Sequence, residues 1–293
     1  MSVGEVYQKL IKQRLFRQGF ELREMSINGL KVHALDGRFD SGQGTLVLVH
    51  GLGSSALSLS PLLKRLAPQF GRIVAVDLLG HGDNELVTDN FSVEFLFQTL
   101  SAQLLEISSH PFALYGSSLG GALCLRFAIE HPERVSRLAL TSPAGAPLTG
   151  DDIKRLRRLF SVDTKKGMKA LVRTLFHRPP WYGSLLAREL RRAMTRPVVR
   201  QILAQLEDIP TLKDLEVNRL EMPILLIWGQ SETLLPRHCL DWFRQHLPHH
   251  AYIEQPFGYG HSPHLEVPED LCVRLIHFLR PSPGTMPQTP GFS

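Results

Sequence analysis

At 293 residues, with 43% apolar and 21% charged side chains, the chain has ordinary globular usage, and it is long enough to bury a core without disulfides, so collagen-like, disordered and disulfide-scaffold classes are excluded. The net charge of +5 is local in origin: residues 148–218 hold 15 Lys and Arg against 8 Asp and Glu, whereas the rest of the chain holds 18 against 20. A single basic segment without any nucleic-acid module signature does not read as a nucleic-acid-binding fold.

No run of about 18–20 apolar residues offers a membrane-spanning helix, and residues 1–20 lack the apolar core of a signal peptide. Three cysteines, an odd number without metal-type spacing, predict a reducing, cytoplasmic setting with neither a disulfide framework nor a metal site.

In chain order, the first element is a helical pattern over residues 6–16 carrying Lys9, Lys12 and Arg14. It reads as a helix docked on the domain surface in preference to one bound to a membrane. Residues 21–27 and 30–35 flank Asn28-Gly29, a pair that tolerates positive φ and so predicts a tight hairpin. Short, near-continuously apolar strands follow at 45–50, 72–77, 112–116, 135–141 and 224–229, with a last strand at 252–255. Helical patterns at 61–70, 92–107, 119–131, 236–247 and 268–279 separate them. Uninterrupted apolar strands are those buried on both faces, so the predicted class is α/β: a mostly parallel eight-stranded sheet flanked by helices.

Residues 148–218 break this alternation with Arg-rich helical patterns at 154–160, 185–194 and 198–206 and no strand. Lying between two strands, they predict a helical basic lid over the carboxyl edge of the sheet, where ligands bind in such folds. The predicted division is therefore a core of residues 1–147 and 219–280, a lid of 148–218 and a disordered tail of 281–293, rich in proline and glycine.

The strongest chemical signal is Gly116-Ser117-Ser118-Leu119-Gly120, with a strand before it and a helix after it. A serine forced into a sharp strand-to-helix turn exposes its hydroxyl above the sheet, and glycines two positions to either side allow the close backbone approach. The start of the following helix points unpaired N–H groups at the same place, which favours developing negative charge.

These features resemble the alpha/beta hydrolase superfamily, in its serine esterase and lipase-like branch with a helical lid. His50-Gly51-Leu52-Gly53, after a strand, resembles the family's oxyanion turn, which implies the backbone N–H groups of Leu52 and Leu119 as oxyanion donors. Asp77-Leu78-Leu79-Gly80-His81-Gly82 resembles a structural turn of the family, so no chemistry is assigned to Asp77 or His81. The segment from Gly260-His261 to Glu266-Val267-Pro268 resembles the one that carries the family's catalytic histidine. By that resemblance His261 is the general base, taking the serine proton and returning it to the leaving group. His264 reads as structural, and His249-His250 has no ligand partner at metal spacing.

The acid departs from the commonest pattern. The family usually shows Gly-x-x-Asp with a proline three residues later, whereas this chain has Gly229-Gln230-Ser231-Glu232 with Pro236 one residue late. Glu232 takes the expected slot and does the same electrostatic work if the loop absorbs its extra methylene. The alternative acid position, after the strand ending at Thr141, shows Ser142-Pro143 and no carboxylate. The order Ser118, Glu232, His261 is that of the superfamily. Trp181-Tyr182 in the lid is a candidate acyl-pocket pair, and Cys124, Cys239 and Cys272 read as helix packing.

A serine at position 118 sets the chain apart from family branches that use an aspartate nucleophile. It implies attack on a carbonyl carbon and an acyl-enzyme cleared by water: a carboxylic ester hydrolase of small-molecule substrates, needing no cofactor. The sequence leaves other readings open. The basic lid resembles that of the methyl-ester hydrolase of biotin synthesis, which takes its substrate from an acidic carrier protein. Thioester or lactone cleavage is a further reading. Carbon–carbon bond hydrolases share a turn like Pro143-Ala144-Gly145 but typically place Trp where Ser262 stands. A hydrolase-fold protein that binds a ligand without turnover is the remaining one.

Overall fold

The computed structural model describes residues 3–40, 42–85, 91–160, 164–180, 183–206, 212 and 215–280. Eight strands form one sheet in the order β1-β2-β4-β3-β5-β6-β7-β8. β1 (Phe20–Ile27) and β2 (Leu30–Arg38) make the predicted hairpin, turning through Asn28 and Gly29 at φ 51° and 80°, the pair of left-handed residues that a twist-matched two-residue turn requires. β2 is also antiparallel to β4 (Arg72–Val76). β4, β3 (Thr45–Val49), β5 (Phe112–Ser117), β6 (Val135–Thr141), β7 (Ile224–Ile227) and β8 (Tyr252–Glu254) then run parallel.

The apolar runs are explained by alternation between two cores. Val47, Val49, Val74 and Val76 face a cluster containing α3 (Val93–Ile107), α4 (Leu119–Glu130) and α9 (Arg237–His246). Leu46, Leu48, Ile73 and Ala75 face the opposite cluster, with α1 (Val3–Phe16), α2 (Ser60–Leu66) and α11 (Pro268–Leu279). A strand covered on both sides needs apolar residues at every position, because successive side chains point to opposite faces.

Among the described residues four α-helices lie between β6 and β7, α5 (Gly150–Phe160), α6 (Lys165–Leu175), α7 (Gly183–Met194) and α8 (Pro197–Ala204), where three helical patterns are predicted. The additional helix, α6, starts on Thr164, whose hydroxyl accepts from the Gly167 N–H at 3.0 Å. Two lysines and a glycine at its start mask its periodicity in the sequence. α5 begins at Gly150, before its predicted start, because Thr149 and Asp152 cap each other: Thr149 N–H donates to Asp152 Oδ2 at 2.9 Å, and Asp152 N–H donates to Thr149 Oγ1 at 3.2 Å. A short α10 (Pro263–Glu266) follows β8. Among the described residues no helix is long and apolar enough to cross a membrane. Trp181, Tyr182 and the tail 281–293 lie outside the described residues.

Candidate active site

Ser118 sits between β5 and α4 at φ 53°, ψ −120°, a conformation that costs a non-glycine residue about 1–3 kcal/mol. Three backbone bonds hold it there: Ser118 N–H donates to Thr141 O at 3.0 Å, and its carbonyl accepts from Ala122 at 3.1 Å and Ala144 at 3.0 Å. The flanking glycines are sterically required. A Cβ on Gly116 would stand 2.7 Å from Gly120 O, and one on Gly120 would stand 2.3 Å from His50 O. Leu119 is the first residue of α4, so its N–H is one of the helix's orphan donors and lies beside the serine.

The turn after β3 closes over this point. A Cβ on Gly51 would lie 3.1 Å from Ser118 Cβ, which puts the Gly51-Leu52 backbone next to the hydroxyl. The turn is pinned by His50, whose Nδ1–H donates to Gly51 O at 2.8 Å while its Nε2 accepts from Leu78 N–H at 3.1 Å. That pattern needs neutral imidazole, and burial, with His81 nearby, pushes the pKa down to about 3. Asp77 bridges the next loop, accepting from Ala56 N–H at 2.7 Å and Asp83 N–H at 3.0 Å; burial raises it to about 6. His81 is fully buried, and burial lowers it to about 4. Asp77 and His81 thus serve loop geometry.

His261 follows β8 and is buried. Its Nδ1 lies 2.7 Å from Glu232 Oε2, on the loop after β7. The Glu232 side chain is fully buried, and its Oε1 accepts from the N–H groups of Leu234 at 2.7 Å and Leu235 at 3.1 Å. The carboxylate therefore folds back on its own loop, which takes up the extra methylene. Burial opposes its ionisation, yet His261, the Ser142 hydroxyl and the Leu235 N–H outweigh burial and hold its pKa below the usual carboxylate range. Ser142 occupies the alternative acid position and hydrogen-bonds the Glu232 carboxylate. No motif flags it; only the pairing of β6 with β7 brings it there.

Ser118, His261 and Leu52 line one cavity of about 290 Å³. The inserted helices supply apolar walls from Phe160, Leu175, Phe176, Leu190 and Met194. His264 lines it too; it is buried and neutral, lowered to about 4 by burial and by His261, and its Nδ1 finds no partner among the described residues. Among the described residues the exposed lining ones are Gln8, Asp83 and Arg192, and they mark the opening between α1, the loop after β4 and α7. The contribution of α1 has no signal in the sequence. Cys124, Cys239 and Cys272 are buried and unpaired. Among the described residues no three His, Cys, Asp or Glu side chains converge as metal ligands.

An uncharacterized protein of Mycobacterium tuberculosis is 26% identical over 276 residues, covering 83% of this chain and 78% of its own. A pimeloyl-[acyl-carrier protein] methyl ester esterase of Nitrosomonas europaea is 28% identical over 251 residues, covering 76% of this chain and 91% of its own. Among solved structures, a bacterial membrane phospholipase A superposes with a TM-score of 0.80 at 23% identity, over 94% of this chain and 91% of that one. The carboxylesterase CesB of Bacillus subtilis superposes with a TM-score of 0.72 at 21% identity, over 94% and 97%. The profile of the alpha/beta hydrolase family matches residues 46–275, from β3 into α11, and the chain belongs to that family.

Proposed function

We propose that the protein is a serine hydrolase of carboxylic esters, with Ser118 as nucleophile, His261 as general base and acid, and Glu232 as the group that orients the imidazole. The observation that carries this reading is the 2.7 Å contact between Glu232 Oε2 and His261 Nδ1, beside a cavity wall that also bears the strained serine. A carboxylate accepting from Nδ1–H fixes the tautomer whose Nε2 lone pair faces away from the acid and is free to take a proton.

Ser118 Oγ attacks the ester carbonyl as its proton passes to His261 Nε2. The tetrahedral oxyanion is met by the N–H groups of Leu52 and Leu119, and the helix start adds to that field. Collapse breaks the acyl–oxygen bond, and the imidazolium returns the proton to the departing alcohol. Water, deprotonated by the same nitrogen, then clears the acyl-enzyme. Apart from the ester and water, every group in this sequence comes from the chain itself. A cavity of about 290 Å³ lies at the small end of ligand pockets and suits a short or medium acyl group.

Residues 148–218 act in this reading as a lid that sets the acyl pocket, with Trp181 and Tyr182 as candidate contributors. Three free buried cysteines fit a cytoplasmic setting. A second reading draws on the methyl ester esterase relatives and the cationic insert: the ester is carried by an acidic protein that docks on the lid.

The test is a panel of p-nitrophenyl esters of graded length, run beside Ser118→Ala and His261→Ala, with fluorophosphonate labelling of the wild-type chain. Turnover that vanishes in both variants, with label on Ser118, is expected. Activity retained in either variant overturns the assignment, and an unlabelled serine in a wild-type chain that cleaves no ester favours ligand binding without turnover.

A further inference from the structure

We propose that α1 and the outer face of α6 and α7 form one docking face for an anionic lipid surface, set beside the opening of the active-site cavity. Two observations carry it independently.

The first is apolar. Among the described residues seven large hydrophobic side chains are exposed, and four of them, Val6, Tyr7, Leu10 and Phe16, stand on α1. A fifth, Leu22, lies on β1 opposite Leu35, which packs in the same cluster as the buried Leu15 of α1. The helix is thus docked through Leu15 while Tyr7 and Leu10, each 58% exposed, face outward. Val6, Tyr7 and Leu10 are spaced as helical neighbours, and Arg14 and Arg17, both exposed, continue the same stripe. A surface helix ordinarily turns its apolar stripe inward. One that shows an apolar strip among basic residues to the outside has the pattern of a helix lying in an interface plane.

The second is cationic. Between α6 and α7 runs a groove of about 520 Å³ with Met168 and Val172 in its floor and Lys169, Arg173, Arg188 and Arg191 along it. All four cations are exposed. On its other flank α7 meets α1, where Arg192 pairs with Glu5 at 3.1 Å and the buried Gly4 packs against Glu189. α7 therefore separates the groove from α1, so the four cations and the helix that bears the apolar strip lie to either side of it. Arg192 on that helix and Gln8 on α1 stand at the cavity opening. An acidic protein would satisfy the groove and leave the strip on α1 facing water; a bilayer with anionic headgroups takes both.

Delivery of an ester from that surface into the cavity rests on the reading of Ser118 as nucleophile, whereas the docking does not. The test is co-sedimentation of the full chain with vesicles of phosphatidylcholine alone or mixed with phosphatidylglycerol. Hydrolysis of soluble p-nitrophenyl acetate is measured in parallel. Partition onto the mixed vesicles is expected to exceed that onto phosphatidylcholine by about tenfold and to weaken with salt. Val6→Ser/Tyr7→Ser/Leu10→Ser and Arg188→Glu/Arg191→Glu are each expected to lose about tenfold in partition with soluble-ester turnover unchanged. A wild-type chain that partitions in this way but cleaves no soluble ester supports the docking face and counts against the catalytic reading alone. No partition onto anionic vesicles, partition untouched by both variants, or binding of an acidic acyl carrier protein in place of vesicles overturns the proposal.

Discussion

Replacing Glu232 with Gln tests the proposed relay at its most constrained atom. Oε1 accepts from two backbone N–H groups, at 2.7 and 3.1 Å, so a glutamine must keep its oxygen there and present its NH₂ where Oε2 stands, 2.7 Å from His261 Nδ1. A donor at that place makes Nδ1 an acceptor and moves the ring proton to Nε2, the atom that has to receive the serine proton. The other orientation restores the tautomer but sets the NH₂ against both backbone donors, at about 1–3 kcal/mol for each hydrogen bond lost, or about 30-fold to 10⁴-fold in the productive population. Loss of the carboxylate charge opposite the developing imidazolium adds to this. The expected fall in kcat is about 10³–10⁴-fold, the size seen when an Asp-to-Asn change imposes the wrong tautomer in a related relay. KM for p-nitrophenyl acetate should barely move, since the acid does not line the cavity. A loss of less than about tenfold would refute the reasoning and move the acid role elsewhere.

Other outcomes follow from the same contacts. Ser142→Ala removes a donor from the Glu232 carboxylate and is expected to lower kcat by up to about 10–150-fold, the worth of one hydrogen bond to a charged group, with KM unchanged. Glu266 accepts from Gly260 N–H at 2.9 Å and Arg178 N–H at 3.0 Å, tying the insert to the residue before His261; Glu266→Ala should cost about 1–3 kcal/mol of stability in denaturant unfolding and lower kcat with it. Gly120→Ala puts a methyl group against His50 O and Val49 O, and about 1–3 kcal/mol or more of destabilisation is expected in the same measurement. His50, His81 and His264 are held neutral, with pKa values pushed down by burial to about 3, 4 and 4. The unfolded chain therefore takes up three protons as pH falls below 6.5 while the folded chain does not. Asp77, raised to about 6 by burial, offsets one of them, so stability should fall by about 3 kcal/mol per pH unit between pH 6 and 4, with Tm about 5–10 °C lower at pH 5 than at pH 7. A Tm that holds or rises at pH 5 would remove that account.

The strands were legible because each central one is covered on both faces, and burial on both sides leaves a short unbroken apolar run such as Leu46–Val49. The serine turn was legible because tight geometry admits few residues: Gly116 and Gly120 have no room for a Cβ. Glu232 could be placed by resemblance, but how its longer side chain fits could not, since the solution lies in two N–H groups of its own loop. Ser142 was read only for the carboxylate it lacks, and its role depends on the adjacency of β6 and β7, a long-range fact. The pattern of α1 revealed an amphipathic helix; which of its faces would meet the domain was decided by Gly4 and Leu15 packing inward, a choice periodicity does not make.

The insert and the proposed chemistry share their anchor points, and this bears on how substrate specificity would be tuned. Thr233 Oγ1 donates to Thr174 O at 3.2 Å, and Arg155 donates to the carbonyls of Thr233 and Leu234, so α5 and α6 brace the loop that carries Glu232. Ser262 N–H donates to Leu175 O at 3.1 Å, and Ser231 Oγ lies 2.6 Å from His177 Nδ1, so the same insert braces the residue after His261 and the residue before Glu232. Ser118 itself is held by β6 through Thr141 O, by α4 through Ala122 N–H and by Ala144 N–H in the turn after β6, whose Gly145 O accepts from Leu212 N–H at 2.9 Å. A change of packing in the insert therefore reaches the loops of Glu232 and His261 directly, and reaches Ser118 through the Ala144-Gly145 turn against which Leu212 packs. A positional error of about an ångström at a proton-transfer group is enough to cost a hundredfold in rate. Substitutions among the apolar wall residues Leu175 and Phe176 should accordingly move kcat together with KM, and a lid altered for a new acyl group would need its hydrogen bonds to residues 231–234 and 262 kept intact.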